Sequence, residues 1–177
     1  MGHDGTRFMT DSTPFRPRFS WSEHGIIVEI PAHEREVLIS LLDQLREVIA
    51  ADDHEPLARL KLPAHVDDPA AEAQFQELIA EDLRQSRIDA VEQVIAGLDA
   101  TLLDDDGAAA WMRSLNSLRL VLGHEPWVTD DELDPSSLNQ DQLVLLELFE
   151  WSGWLLEQLV AASTSVMDAD PSDPDSR

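Results

Sequence analysis

Apolar residues recur along this chain with two different periods. Between residues 14 and 30 the period is two: Phe15, Phe19 and Trp21 are interleaved with Arg16, Arg18, Ser20 and Ser22, the alternation of a strand with one buried face. Pro14 and Pro17 confine that strand to an edge or to its own beginning, because proline donates nothing to a ladder. Ser22-Glu23-His24-Gly25 supplies a turn, and the β-branched run from Gly25 to Ile30 supplies a second strand. A small N-terminal β-hairpin is expected.

Beyond Pro31, which suits a first helical position, the period becomes that of an amphipathic helix. Val37, Leu38, Leu41, Leu42, Leu45, Val48 and Ile49 predict a helix near 32–50. Residues 52–66 contain Pro56 and Pro63 and read as irregular, with a short turn at Leu57–Leu60. Asp67-Asp68-Pro69 restarts a helix with an acidic cap and a proline behind it. Its stripe of Ala71, Phe75, Leu78 and Ile79 is followed by Ile88, Val91, Val94, Ile95 and Leu98, so the helix either continues or begins anew near Glu81. Asp104-Asp105-Asp106-Gly107 opens the next helix, with acids where the macrodipole favours them. Trp111, Leu115, Leu118 and Leu122 form its stripe and Gly123 closes it. An acidic linker from Pro126 to Pro135 leads to a last helix, about 139–162, that is apolar nearly all round from Leu143 to Val160. Such a helix is either central to a bundle or shared with another subunit.

The fold class that follows is mainly α, a helical bundle of about five helices with a small N-terminal β-hairpin. Residues 1–13 read as a disordered leader, 14–163 as a single domain and 164–177 as a disordered acidic tail. Residues 1–13 lack the apolar stretch of a secretion signal. No apolar run approaches the roughly 18 residues of a membrane span, so a cytoplasmic protein without membrane contact is expected.

Charge changes the picture most. Thirty-six acidic residues face twelve basic ones, for a net charge of −24 at pH 7. Half of it lies beyond residue 123, where Arg177 is the only base. Affinity for nucleic acid comes largely from cations that neutralise phosphates, so broad electrostatic DNA binding is not expected. A surface this anionic favours basic protein partners. Cysteine is absent, which removes disulfides, thiol nucleophiles, thiol redox sensing and thiolate metal sites together.

Metal and catalytic motifs fail on spacing. His33-Glu34, His54-Glu55 and His124-Glu125 each begin like a zinc-protease helix, but positions 37, 58 and 128 are Val, Ala and Val where a second histidine is needed. No Glu-x-x-His occurs for a di-iron bundle. In Asp104-Asp105-Asp106-Gly107 the glycine comes too early for a calcium loop, and the twelfth residue is Leu115. No glycine-rich phosphate loop or Ser/His/Asp arrangement has recognisable spacing. Neither a catalytic site, a metal nor a cofactor is expected. Among five tryptophans, Trp111, Trp151 and Trp154 fall on apolar stripes and read as core, while Trp21 and Trp127 sit beside turns.

Positive residues are the scarcer and more informative charge. Arg84 and Arg87 share one helical side, Arg113 and Arg119 flank the Trp111–Leu122 stripe with Asn116 between them, and Arg16 and Arg18 lie on the first strand. Arginine among acids usually closes intramolecular ion pairs; the alternative is a local anion or partner site. These seven residues are the candidate partner-binding set. For Asn116 an interhelical hydrogen bond is the favoured reading over a ligand contact.

Three stretches carry a family resemblance. They are Leu57-Ala58-Arg59-Leu60 through Pro63 to Asp67-Asp68-Pro69-Ala70-Ala71-Glu72, then Leu115-Asn116-Ser117-Leu118-Arg119-Leu120-Val121-Leu122-Gly123, then Trp151-Ser152-Gly153-Trp154-Leu155. In order and spacing they resemble the actinobacterial oxidative-stress transcriptional regulators of the AosR-like family, formerly a domain of unknown function, over about residues 15–162. The chain departs from that family at Lys61-Leu62, where an aromatic is usual, at Ser117, where Asp is usual, and in lacking cysteine. The resemblance implies a regulator of transcription in the stress response. The anionic surface adds non-enzymatic action through protein–protein contacts with a basic partner such as a sigma factor or RNA polymerase, and the apolar Leu143–Val160 helix with the edge strand of Arg16 and Arg18 adds a homodimer. Without cysteine it would not sense oxidant through a thiol. The alternative is a small-molecule-binding module or scaffold subunit with a pocket between helices.

Overall fold

The computed structural model describes residues 16–51, 69–129 and 133–168. Four α-helices and a three-stranded antiparallel sheet account for most of them: β1 (Phe19–Ser22), β2 (Gly25–Val28), α1 (Ala32–Ala50), α2 (Pro69–Ala96), β3 (Leu102–Leu103), α3 (Asp105–Leu122) and α4 (Gln140–Asp168). Two short 3-10 turns, Pro126–Thr129 and Pro135–Ser137, lie between α3 and α4.

The hairpin forms, with Phe19 opposite Val28 and Trp21 opposite Ile26, but β1 begins only at Phe19, so Arg16 and Arg18 precede the strand on which the alternation placed them. A third strand, β3, extends it and was not expected; Leu103 pairs with Ile26 and Leu102 with Ile27. The sheet order β1-β2-β3 leaves β1 at an edge, with Pro17 two residues before the strand rather than in its ladder. Gly25 makes the closure possible. Its φ is +131°, and a Cβ there would stand 2.3 Å from the Leu103 carbonyl oxygen, so both the backbone conformation and the close approach of β3 demand glycine. Phe19, Ile26, Val28 and Leu103 carry the inner face into the core.

The helices depart from expectation in number and in arrangement. Where the sequence suggested about five, the described residues contain four α-helices, because α2 runs unbroken from Pro69 to Ala96. Neither glycine nor proline interrupts it between Pro69 and Gly97, so nothing ends the ladder near Glu81. The turn suggested at Leu57–Leu60 and the leader at 1–13 lie outside the described residues. α4 runs to Asp168, into the segment read as acidic tail. Its start is a reciprocal capping box: Asn139 Oδ1 accepts from the Gln142 N–H, and Gln142 Oε1 accepts from the Asn139 N–H, each at 3.0 Å.

The central helix is α3 rather than the greasier α4. α3 packs against α1, α2 and α4 together, burying Trp111, Leu115 and Leu118 on the stripe the sequence predicted. The Trp111 ring meets Phe19 edge-on, with centroids 5.3 Å apart at 74°, which ties the sheet to the bundle. Leu38, Leu42, Leu45 and Ile49 of α1 and Val91 and Val94 of α2 close the same core. α4 sits on the flank. It buries Ser152, Leu155, Leu159 and Ala162, while Trp151 and Trp154, read as core, are half-buried. Val144 and Val160 remain 44% and 45% exposed. No helix among the described residues is long and apolar enough to cross a membrane.

Candidate functional site

The seven candidate residues fall on three separate surfaces. Arg18 has become a strut. Its Nε and Nη2 donate to Glu34 Oε2 at 2.9 Å and Oε1 at 2.6 Å, and its guanidinium lies 5.7 Å from the Trp154 ring centroid. Its backbone N–H donates to Gln158 Oε1 at 2.6 Å. One residue thus joins the start of the sheet to α1 through its side chain and to α4 through its backbone N–H and its guanidinium. The bidentate bond to Glu34 holds the Arg18 pKa above its ordinary value, more than offsetting the opposing effect of burial. Arg16 is largely exposed and stands 3.9 Å from Glu29, a weak surface pair.

On α2, Arg84 is clasped by Glu81 one turn away, with donor–acceptor distances of 2.5–2.9 Å. Its Nη1 also donates to the Ala50 carbonyl at 3.3 Å. It therefore caps the C-terminus of α1, where carbonyls lack helical partners. Arg87 is half-buried, and desolvation pushes its pKa below the ordinary guanidinium value.

The third surface is α3, and here three candidates share one side of a helix. Successive residues of an α-helix turn by about 100°, so Arg113, Asn116 and Arg119 follow one another around a third of its circumference. Arg113 and Asn116 are exposed. The helix is well set: Asp104 Oδ1 accepts from the Gly107 N–H at 2.8 Å, and Arg119 in the last turn complements the macrodipole.

Arg119 is half-buried in the α3–α4 groove. Its guanidinium carbon stands 4.9 Å from the Phe149 ring centroid. A Cβ on Gly153 would come within 3.1 Å of its Nε, 3.2 Å of Cζ and 3.4 Å of Nη2. Nε is buried and has no hydrogen-bond acceptor. A glycine is needed at Gly123 too, where a Cβ would meet Phe149 Cε2 at 2.9 Å and the Arg119 carbonyl oxygen at 3.0 Å. Both glycines serve close approach.

Phe149, Gly153, Glu34 and Gln158 were not picked out from the sequence as site residues. Gly153 alone carried a signal, since glycine inside a helix costs about 1 kcal/mol against alanine and marks a packing demand. Two small cavities, each of about 110 Å³, lie beside the Arg35–Asp99 pair and between α2 and α3 near Trp111. Ligand pockets more commonly span about 300–1,000 Å³. Among the described residues no three His, Asp or Glu side chains are grouped to hold a metal.

Residues 13–163 match the model of a family described as Domain of unknown function (DUF2017). No curated protein and no solved structure matches the chain.

Proposed function

The chain belongs to the DUF2017 family, and for this member of it we propose a non-enzymatic regulatory role of the AosR-like kind, exerted by contact with a protein of the transcription machinery. The observation that carries this reading is the charge of −24, against which duplex DNA is a poor ligand and a basic protein surface a good one. A carboxylate coat steers the encounter, and a few desolvated anchors set the affinity. Arg113, Asn116 and Arg119 are the candidate anchors best placed to reach a partner, since Arg18 and Arg84 are engaged within the fold. A sigma factor or RNA polymerase is the class of partner. With no cysteine, the signal is abundance, a ligand or oxidation of methionine or tryptophan.

The protein is further proposed to act as a homodimer. Support comes from α4, whose first half, Gln140 to Trp151, contains no fully buried side chain despite being strongly apolar. Light scattering at micromolar concentration should give twice the chain mass; a monomer would remove this part. For the function itself, immobilised full-length protein should retain RNA polymerase or a sigma factor from its native cell, with retention falling as salt rises. The same preparation should leave duplex DNA unshifted at physiological ionic strength. Saturable, sequence-dependent DNA binding under those conditions would overturn the reading, as would polymerase retention indifferent to salt.

A further inference from the structure

We propose that the Arg119 guanidinium is a carboxylate-binding subsite, held in a receiving pose by Phe149 and Gly153 of α4. The subsite deepens the anchor role given to Arg119 above, and its test reads the guanidinium directly, without the transcription machinery.

Five other arginines, Arg16, Arg18, Arg35, Arg46 and Arg84, each lie 2.5–3.9 Å from a carboxylate oxygen. Arg119 has no ion pair or hydrogen bond among the described residues, in a chain with 36 acidic residues. Acid is close at hand: Glu150 and Glu157 lie about one turn to either side of Gly153 on α4, yet both stay exposed and unpaired with Arg119. The omission is therefore one of placement, not of supply.

The cradle explains how such a group stays ordered. Phe149 covers one face of the guanidinium, a cation–π contact that holds the charge while leaving its donors unused. The Nε–Nη2 edge lies along the α4 backbone at Gly153, so closely that a methyl group there would push the guanidinium back by a few tenths of an ångström. With a face and an edge fixed, the end bearing Nη1 and Nη2 remains to receive two oxygens in parallel. That is the fork geometry of arginine–carboxylate recognition, and the pose is prepared before the ligand arrives.

A carboxylate is favoured over a phosphate by the surrounding field. Every unit of negative charge brought to a chain of −24 is opposed, and a monoanion meets that opposition once where a phosphate dianion meets it twice. At physiological salt the Debye length is about 8 Å, so the opposition comes from the acids nearest the site, Glu150 and Glu157 of α4 among them. Arg113, exposed two turns earlier on the same helix and without a cradle, serves as an internal control.

The test uses full-length protein and the arginine side-chain N–H resonances, titrated with sodium acetate against sodium chloride at constant ionic strength. Acetate should shift the Arg119 signals saturably, with Arg113 unmoved. Gly153→Ala, which crowds the guanidinium, and Phe149→Leu, which removes the ring against its face, should each weaken the response roughly tenfold as the prepared pose is lost while the Arg119 signals stay readable. Either variant suffices if the other fails to fold. Arg119 signals already hydrogen-bonded without acetate would also carry the proposal when they are released by dilution, identifying a second copy, or by Asp→Asn changes at 168, 170, 173 and 175, identifying the chain's own tail. Identical responses to acetate and chloride, or equal shifts at Arg113 and Arg119, would overturn it.

Discussion

Replacing Glu34 by Gln should destabilise the fold by about 2 kcal/mol, far more than a surface ion pair would account for. The side chains of Arg18 and Glu34 retain only 21% and 15% of their exposure, and two parallel hydrogen bonds of 2.6 and 2.9 Å join them. Glutamine keeps one acceptor, removes the charge and turns an amide donor toward a guanidinium that has none to receive it. Breaking a fully buried pair on one side costs about 3–5 kcal/mol. The remaining exposure of roughly a fifth lets water screen part of that, which brings the figure to about 2 kcal/mol. For a domain of this size the melting temperature should fall by about 4–8 °C. Urea unfolding followed by tryptophan fluorescence reads the change, since Trp154 lies against Arg18. Arg18→Lys should fall between wild type and Glu34→Gln. The deficit should also persist at 1 M salt, because a pair this shielded is screened little. A loss below about 0.5 kcal/mol, or one that vanishes in salt, would show Arg18 to be an ordinary surface cation.

Gly25→Ala should cost about 2 kcal/mol or more by the same assay, since alanine disfavours a φ of +131° and its Cβ would strike the Leu103 carbonyl oxygen; an unchanged midpoint would mean that β3 does not close the sheet. Leu115→Ala, at a fully buried position on the central helix, should remove about 3–5 kcal/mol with an unchanged far-ultraviolet spectrum below the transition. Asp134 should titrate below the ordinary aspartate value, because the Ser136 hydroxyl and backbone N–H both donate to its carboxylate. A depressed folded-state value means that its stabilising contribution is present above the unfolded value, about 3.9, and is lost as pH falls through the folded one. Ser136→Ala should return the carboxyl resonance toward the ordinary midpoint, and a midpoint already there in wild type would contradict the geometry.

Much of the local architecture is written in the order of residues. The alternation from Phe19 to Trp21, the stripe of Leu38, Leu42, Leu45 and Ile49, the acids and glycine from 104 to 107 and the density of carboxylates together determine the hairpin, the α1 span, the α3 cap and the anionic surface. Each follows from interactions within a few residues of chain, or from composition alone. A periodic stripe declares that a helix has a buried face without saying which neighbour buries it. Tertiary packing therefore decided that α3, not the more apolar α4, lies at the centre, and that Leu102–Leu103 joins the sheet. Packing also sorted the arginines. Arg18 found Glu34 sixteen residues away and Gln158 a further 124 along, Arg35 found Asp99 at a separation of 64, and Arg119 was seated between Phe149 and Gly153 with no ion pair among the described residues. Ion pairing depends on distances of a few ångströms between groups far apart in sequence, and only the folded chain sets those distances.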